Sequence, residues 1–206
     1  MALNKNSNMI VGLDIGTSKV VCIVGKYNNE NKLEIVALGA YPSSGLKKGV
    51  VVNIDATTDA ISKAVEQAQS MIEEKISSVF VGIAGNHIKS LNSQGAVGIR
   101  DKEVTSYDVD RVIDSAQAVS IPSDQRVLHV LPQEFVIDGQ EVSLDPLGMS
   151  GVRLEAKVHL VTCANSAIKN IEKCIKNCGL GVDGFVLEQL ASSHSILSSD
   201  EKDLGV

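Results

Sequence analysis

Three short apolar runs within the first 41 positions constrain the fold more than any other feature of the sequence. The runs cover residues 9–13, 20–26 and 33–41, and turn-forming residues fill the gaps at 16–18 and 28–31. Apolar runs of this length, bounded by glycine, serine and asparagine, are typical of β-strands joined by tight turns. The chain is therefore predicted to begin with an antiparallel β-meander.

A helix and a fourth strand are predicted directly after the meander. Asp55 or Thr57 is the candidate N-cap of the helix. Its apolar residues recur on one helical face, namely Ile61, Val65, Ala68 and Ile72. Residues 77–85 are rich in strand-forming side chains and end on a glycine. The resulting order, β-β-β-α-β, predicts an α/β fold.

Residues 86–163 are predicted to form a small α+β domain inserted into the first one. A short strand precedes a helix that begins at Thr105, because threonine followed three residues later by an acidic residue is typical of a capping box. Two strands follow at 126–138 and 153–162, and apolar and polar residues alternate in the second. Pro132 indicates a sheet edge or a bulge in the first of them.

The last part of the chain is predicted to contain a helix, a strand and a final helix. Asn165 or Ser166 caps the first helix, and Gly179 stands where a helix C-terminus favours glycine. The strand is predicted at 182–188 and the final helix at 189–197.

Charge and composition exclude several classes of function. The chain of 206 residues has a formal net charge of −6 with acidic and basic residues intermixed, which argues against nucleic-acid binding and against a polybasic membrane patch. Its longest apolar stretches, such as Val20–Val24, are far shorter than a membrane-spanning helix. No signal-peptide pattern opens the sequence, and its four cysteines suit reduced thiols. We expect a cytoplasmic protein whose partner is a protein or a small molecule.

The turn between the first two predicted strands carries the candidate binding residues. Gly16 permits a close backbone approach, and the hydroxyls of Thr17 and Ser18 can donate hydrogen bonds to phosphate oxygens. Lys19 offsets negative charge, and Asp14 suits a hydrated Mg²⁺ that is held through water. A turn between two strands binds an anion through its own amides rather than through a helix N-terminus. The alternative is that Asp14 and Gly16 simply build a tight hairpin turn.

Four stretches of the chain resemble a known protein family. "GLDIGTSKV" (12–20) is similar to the first phosphate loop of the actin, Hsp70 and sugar-kinase superfamily. Within that superfamily, three further stretches resemble the FtsA family of bacterial cell-division proteins. They are "ISSVFVGIAGNHI" (76–88), "VLHVLPQEFVIDGQ" (127–140) and "DPLGMSGVRLEAKVHLVTC" (145–163). The resemblance runs from about residue 10 to residue 206.

This resemblance implies both a fold and a ligand site. Residues 1–85 and 164–206 would form an actin-like (RNase H-like) subdomain 1A, and 86–163 would form the inserted, SHS2-like α+β subdomain 1C. ATP and Mg²⁺ are the implied cofactors. The implied phosphate loop consists of Asp14, Gly16, Thr17, Ser18 and Lys19, with Asp14 holding Mg²⁺ through water.

The resemblance further implies a scaffold that links the FtsZ ring to the membrane, associates with itself, and recruits FtsN and other late division proteins through residues 86–163. Its implied place is the cytoplasm, at the inner face of the septal membrane. The family's second lobe would supply the main FtsZ surface, the second phosphate loop and a C-terminal membrane helix, none of which is expected in these 206 residues. We therefore expect weak ATP affinity and at most a weak ATPase. The alternatives are a pilus-assembly homologue such as PilM, or a kinase or chaperone ATPase of the same superfamily.

Overall fold

The computed structural model describes residues 9–142 and 145–205. Residues 1–8 and 206, at the ends of the predicted ranges 1–85 and 164–206, lie outside the described residues. In chain order the elements are β1 (Met9–Ile15), β2 (Lys19–Tyr27), β3 (Leu33–Pro42), β4 (Leu46–Lys47), β5 (Val50–Val51), α1 (Ile54–Gln69), β6 (Ser78–Ile83), β7 (Ile88–Gly98), α2 (Ser106–Gln117), β8 (Gln125–Ile137), β9 (Gln140–Val142), β10 (Arg153–Ala164), α3 (Asn165–Asn177), β11 (Gly181–Leu187), α4 (Glu188–Ile196) and α5 (Ser199–Asp203).

The chain divides into two compact units. The first contains the described residues up to His87 together with those from Ser166 onward, and the second spans Ile88–Asn165. The second unit thus interrupts the first in sequence, as the predicted inserted domain at 86–163 would.

A five-stranded sheet in the order β11-β6-β1-β2-β3 forms the centre of the first unit. β1, β2 and β3 are antiparallel neighbours, whereas β6 lies parallel to β1 and β11 parallel to β6. The predicted meander and the order β-β-β-α-β are confirmed, with one addition. A short hairpin of β4 and β5, which the sequence analysis did not predict, precedes α1.

Helix α1 packs on β2 and β3, but its predicted N-cap was wrong. Asn53 is the cap, and its side chain accepts a hydrogen bond from the backbone N–H of Ala56 at 3.0 Å. Asp55 and Thr57 lie inside the first turn, where the buried Thr57 hydroxyl donates to the Asn53 carbonyl. Asparagine is as good a cap as aspartate, so the residue that satisfies the free amides was decided by backbone geometry.

The second unit is a four-stranded antiparallel sheet in the order β7-β10-β8-β9, with α2 packed on β7 and β10. The alternation of apolar and polar residues predicted for residues 153–162, which form β10, is confirmed. Along β10, Leu154, Ala156, Val158 and Leu160 are buried, and the residues between them are only partly buried. Short β9 pairs with the end of β8 and was not predicted.

Local signals in the second unit are also confirmed. Thr105 and Asp108 form a reciprocal capping box at the start of α2. The ladder between β8 and β10 shifts register at Pro132, where Lys157 pairs with Glu134 but Val158 pairs with Pro132. Proline donates no backbone hydrogen bond, and a bulge lets the strand accommodate it.

In the last part of the chain, the predicted helix, strand and helix appear as α3, β11 and α4. Helix α3 ends before Gly179, which has a φ of 73°. That left-handed conformation is the one for which glycine is favoured after a helix.

Candidate functional site

The turn between β1 and β2 places the predicted phosphate-binding residues at one end of the five-stranded sheet. The backbone N–H of Gly16 donates to the Lys19 carbonyl at 3.0 Å and closes the turn. Thr17, Ser18 and Lys19 are exposed, and so is Asp14 on the last part of β1. A β-carbon at position 16 would lie 2.9 Å from the Lys19 carbonyl oxygen, so the closed turn requires glycine. The side chains of Asp14, Thr17, Ser18 and Lys19 are therefore all open to solvent at this turn.

A second carboxylate, Glu188, belongs to the same site. Asp14 pairs with Gly82 on β6, and Gly82 pairs with Val186 on β11. Since β1, β6 and β11 run in parallel, their carboxyl ends meet at one edge of the sheet, and Glu188 begins α4 there. A β-carbon on Gly82 would lie 3.1 Å from Cγ of Glu188. The missing side chain at position 82 thus leaves the space through which Glu188 reaches Asp14.

The surroundings of Glu188 favour the protonated form of its carboxyl group. Burial raises the pKa of Glu188 to about 7, and the negative charge of Asp14 and a hydrogen bond between the two side chains act in the same direction. A like charge nearby disfavours the ionised form of a carboxyl group, and a cation between two carboxylates offsets their repulsion. The position beside Asp14 therefore suits Glu188 either as a protonated carboxyl group or as a neighbour of a positive ion.

Glu188 was missed by the sequence analysis, which saw it only as the end of a predicted strand. The available signal was its position as an acidic residue directly after a strand that precedes a helix. Ligand-binding residues concentrate at the carboxyl ends of parallel strands, so this position is a natural one for a functional side chain. Recognising it required knowing that β11 lies next to β6 and β6 next to β1.

The residues present fit a magnesium ion accompanied by phosphate. Mg²⁺ binds through one or two carboxylates and fills its remaining positions with water and phosphate oxygens. Asp14 and Glu188 provide such carboxylates, and Thr17 and Ser18 provide donors for phosphate. Within residues 9–142 and 145–205, no group of three or more histidine, cysteine, aspartate or glutamate side chains could hold a metal ion by itself.

The helices in the described part of the chain include none that is long and apolar enough to span a membrane.

Comparison with known families matches the second unit to a specific domain. The family model described as "SHS2 domain inserted in FTSA" matches residues 85–162. This range begins and ends within three residues of the second unit, Ile88–Asn165.

Curated relatives are similar over nearly the whole chain. A cell division protein FtsA from Pseudomonas aeruginosa is 62% identical over 206 residues, which are 100% of this chain and 49% of that protein. The FtsA of Neisseria meningitidis is 50% identical, with 99% of this chain and 49% of that protein covered. For FtsA of Escherichia coli K12 the identity is 44%, with coverage of 96% and 47%. The chain thus spans about half the length of the curated relatives it matches.

A solved structure shares the fold at low sequence identity. A chain titled "PilM-PilN type IV pilus biogenesis complex" superposes with a TM-score of 0.62 at 14% identity, covering 90% of this chain and 49% of that one. Identity this low shows the fold alone. The predicted fold class, an actin-like α/β unit with an inserted SHS2 domain, is confirmed.

Proposed function

Because this chain belongs to the FtsA family of cell-division proteins, we propose that it forms a nucleotide-binding and partner-recruiting lobe of an actin-like scaffold. The observation that carries the nucleotide part is the turn of Asp14–Lys19, which brings exposed donors beside the Asp14–Glu188 carboxyl pair. A scaffold of this kind acts by binding and assembly, with at most a weak ATPase activity that needs the second lobe.

Each residue of the turn has a part in holding ATP. The amides of the turn and the hydroxyls of Thr17 and Ser18 donate hydrogen bonds to phosphate oxygens, and the Lys19 ammonium offsets their charge. Asp14 and Glu188 hold Mg²⁺ through its water ligands. The ion supplies the positive charge that lets carboxylates and phosphates lie together. Because the site is open to solvent on the side of the exposed turn, the affinity is expected to be weak.

Nuclear magnetic resonance tests the nucleotide site even when affinity is weak. Titration of Mg-ATP into the ¹⁵N-labelled chain is expected to shift the amide signals of residues 14–19 and Glu188 before others. Ser18→Ala removes one donor and should weaken the response several-fold. Ser77→Ala, which removes an equally exposed hydroxyl outside the site, is the matched control. Identical titrations of the two variants, or shifts confined to other surfaces, would contradict the proposal.

The proposed partners follow from the family. The scaffold links the FtsZ ring to the cytoplasmic face of the inner membrane at the division septum. FtsZ is contacted mainly, and the membrane only, through the part of FtsA that this chain does not span. The inserted domain at 86–163 recruits FtsN and other late division proteins and contributes to self-association.

Two binding assays separate these partner roles. Fluorescence anisotropy with a labelled cytoplasmic tail of FtsN is expected to show binding to the chain. Cosedimentation with FtsZ polymers is expected to leave the chain in the supernatant. Binding to FtsZ without binding to the FtsN tail would contradict the proposal that this chain contacts FtsN and that FtsZ is contacted mainly elsewhere.

A further inference from the structure

Strand β7 forms one edge of the four-stranded sheet in the second unit, where it pairs with β10 on one side. The pairing covers the whole strand, Ile88–Gly98, without a register shift. Just beyond it, the backbone N–H of Ile99 donates to the Val152 carbonyl, on the side of β10, at 2.8 Å. Backbone groups of an antiparallel strand alternate between its two sides. The odd-numbered residues of β7 therefore bond to β10, and the even-numbered residues direct their N–H and C=O groups outward.

The residues with outward backbone groups are exposed over most of the strand. They are Ser90, Asn92, Gln94, Ala96 and Gly98. Helix α2 covers the face of the odd-numbered residues, since a β-carbon on Gly95 would overlap the backbone of that helix. Arg111 of α2 donates to the outward carbonyl of Gly98 at 3.3 Å. That bond marks one end of the open edge, and the backbone at 90–96 is a stretch along which a further strand can pair.

Other sheet edges carry features that block strand addition. β9 is three residues long, and the outer side of β8 beyond it carries Pro132 and two register shifts. In the first unit, the side chain of Gln67 accepts from the N–H of Ala40 on the edge strand β3 at 3.0 Å. Short strands, bulges, prolines and covered edges all hinder pairing with another chain. Residues 90–96 of β7 contain neither a proline nor a bulge.

Cations stand at both ends of this edge. β7 and the two residues after it contain Lys89 and Arg100 and no acidic residue, although the whole chain has 25 acidic and 19 basic side chains. The guanidinium groups of Arg100 and Arg111 lie 5.7 and 5.6 Å from the centre of the Tyr107 ring. Arg111 also pairs with Asp108 at 3.1 Å. Arg100 has no ion pair with any residue that the structure describes, so its charge is available to a ligand.

This arrangement of charge narrows the chemistry of the occupant. A second copy of β7 in antiparallel pairing would bring its Lys89 end to the Arg100 end of the first, and like charges across a strand pair are destabilising. The middle of the edge is uncharged. A strand that carries carboxylates near its ends is complementary to it.

We propose that β7 binds an extended, acidic segment of a partner protein as an additional strand of the sheet. The backbone of the segment pairs with residues 90–96, and its carboxylates lie near Lys89 and Arg100. In strand addition of this kind, main-chain hydrogen bonds supply affinity and the side chains supply specificity. This inference rests on the recruiting role proposed for the inserted domain and gives that role a surface and a partner chemistry.

Two model peptides test the surface without knowledge of the natural partner. They are fluorescein-labelled strands of alternating threonine and valine, with glutamates at both ends in one and lysines at both ends in the other. Each is titrated with the full chain in an anisotropy assay. We expect the glutamate peptide to bind at least about fivefold more tightly. Equal binding of the two peptides would overturn the proposal, because its choice of partner depends on charge.

Removal of a backbone donor separates strand addition from charge attraction alone. Gln94→Pro deletes one outward N–H and keeps the bonds to β10, since an edge strand tolerates proline where its N–H faces solvent. It should weaken binding of the glutamate peptide at least about tenfold. Gln94→Ala, which keeps the N–H, should change binding less than about twofold. Equal effects of the two variants would overturn pairing with β7.

The same question can be put to the unsubstituted chain, so the test does not depend on how Gln94→Pro folds. Two versions of the glutamate peptide carry N-methyl groups on one or the other set of alternate residues. Only one set of N–H groups faces β7 in a paired strand. One version should therefore lose binding and the other keep it, whereas equal binding of both would overturn the proposal.

Charge reversal tests the two ends of the edge. Lys89→Glu with Arg100→Glu should shift the preference toward the lysine peptide. Lys169→Glu with Lys173→Glu, the same change of net charge at exposed positions of α3, should not. An unchanged preference in the first pair would overturn the proposal. Binding of the FtsN tail without binding of the glutamate peptide would refute β7 as the site and leave the recruiting role intact.

Discussion

Replacing Glu188 with glutamine should make the chain more stable at alkaline pH and leave its stability nearly unchanged at acidic pH. Glutamine keeps the size of the side chain and can donate a hydrogen bond to Asp14, as the protonated carboxyl group does. It carries no proton to lose, so the variant avoids the repulsion that Asp14 and an ionised Glu188 experience.

The sign and size of the effect follow from the raised pKa of Glu188. The folded chain holds the proton more tightly than the unfolded chain, so the stability from this group is complete below about pH 4.5 and is lost as pH rises through about 7. A difference of about 2.5 pKa units between the folded and unfolded chain would correspond to about 3.4 kcal/mol of unfolding free energy if water did not screen the charge. Because Glu188 is only half-buried, screening by water reduces this, and we expect about 1 kcal/mol.

Urea unfolding followed by circular dichroism at pH 5, 6, 7 and 8 measures the difference. At about 2–3 kcal/mol per molar urea, the midpoint of Glu188→Gln should move above that of the unsubstituted chain by about 0.4 M at pH 8. The gain should nearly vanish at pH 5. Glu73→Gln removes an exposed carboxylate elsewhere in the same unit, so it is the control for the loss of one negative charge. A gain that is the same at all four pH values, or a loss at pH 8, would refute the raised pKa of Glu188.

Three further predictions test the second unit through its stability to urea. Gly95→Ala would overlap the backbone of α2 near Val112 and should cost about 2–4 kcal/mol in urea unfolding, so a change below 0.5 kcal/mol would contradict the close packing. Thr105→Ala removes the capping box and should cost about 1 kcal/mol by the same assay, with Thr105→Ser restoring most of it. The partly exposed ion pair between Lys157 and Glu134, with a distance of 2.7 Å between Nζ and Oε1, should contribute under 1 kcal/mol in a double-mutant cycle and less in 1 M salt. A larger coupling would show that water screens this pair less than assumed.

Glu188 shows why part of the site was beyond reach of sequence reasoning. The turn at Asp14–Lys19 is local, since glycine and hydroxyl residues between two apolar runs predict both the bend and its donors. The pairing of Asp14 with Glu188 depends instead on the neighbours that β6 acquires on its two sides. Strand order is set by packing over the whole unit, and no pattern within a few residues encodes it.

Local residue patterns were sufficient to predict the elements whose cause is local. These are the meander, the capping box at Thr105, the alternation along β10 and the glycine that ends α3, because each depends on the conformational preference of a few adjacent residues. Tertiary packing, in contrast, selected Asn53 rather than Asp55 as the cap of α1 and brought Glu188 to Asp14. In both cases several residues are chemically able to fill the role, and the distances imposed by packing select one of them.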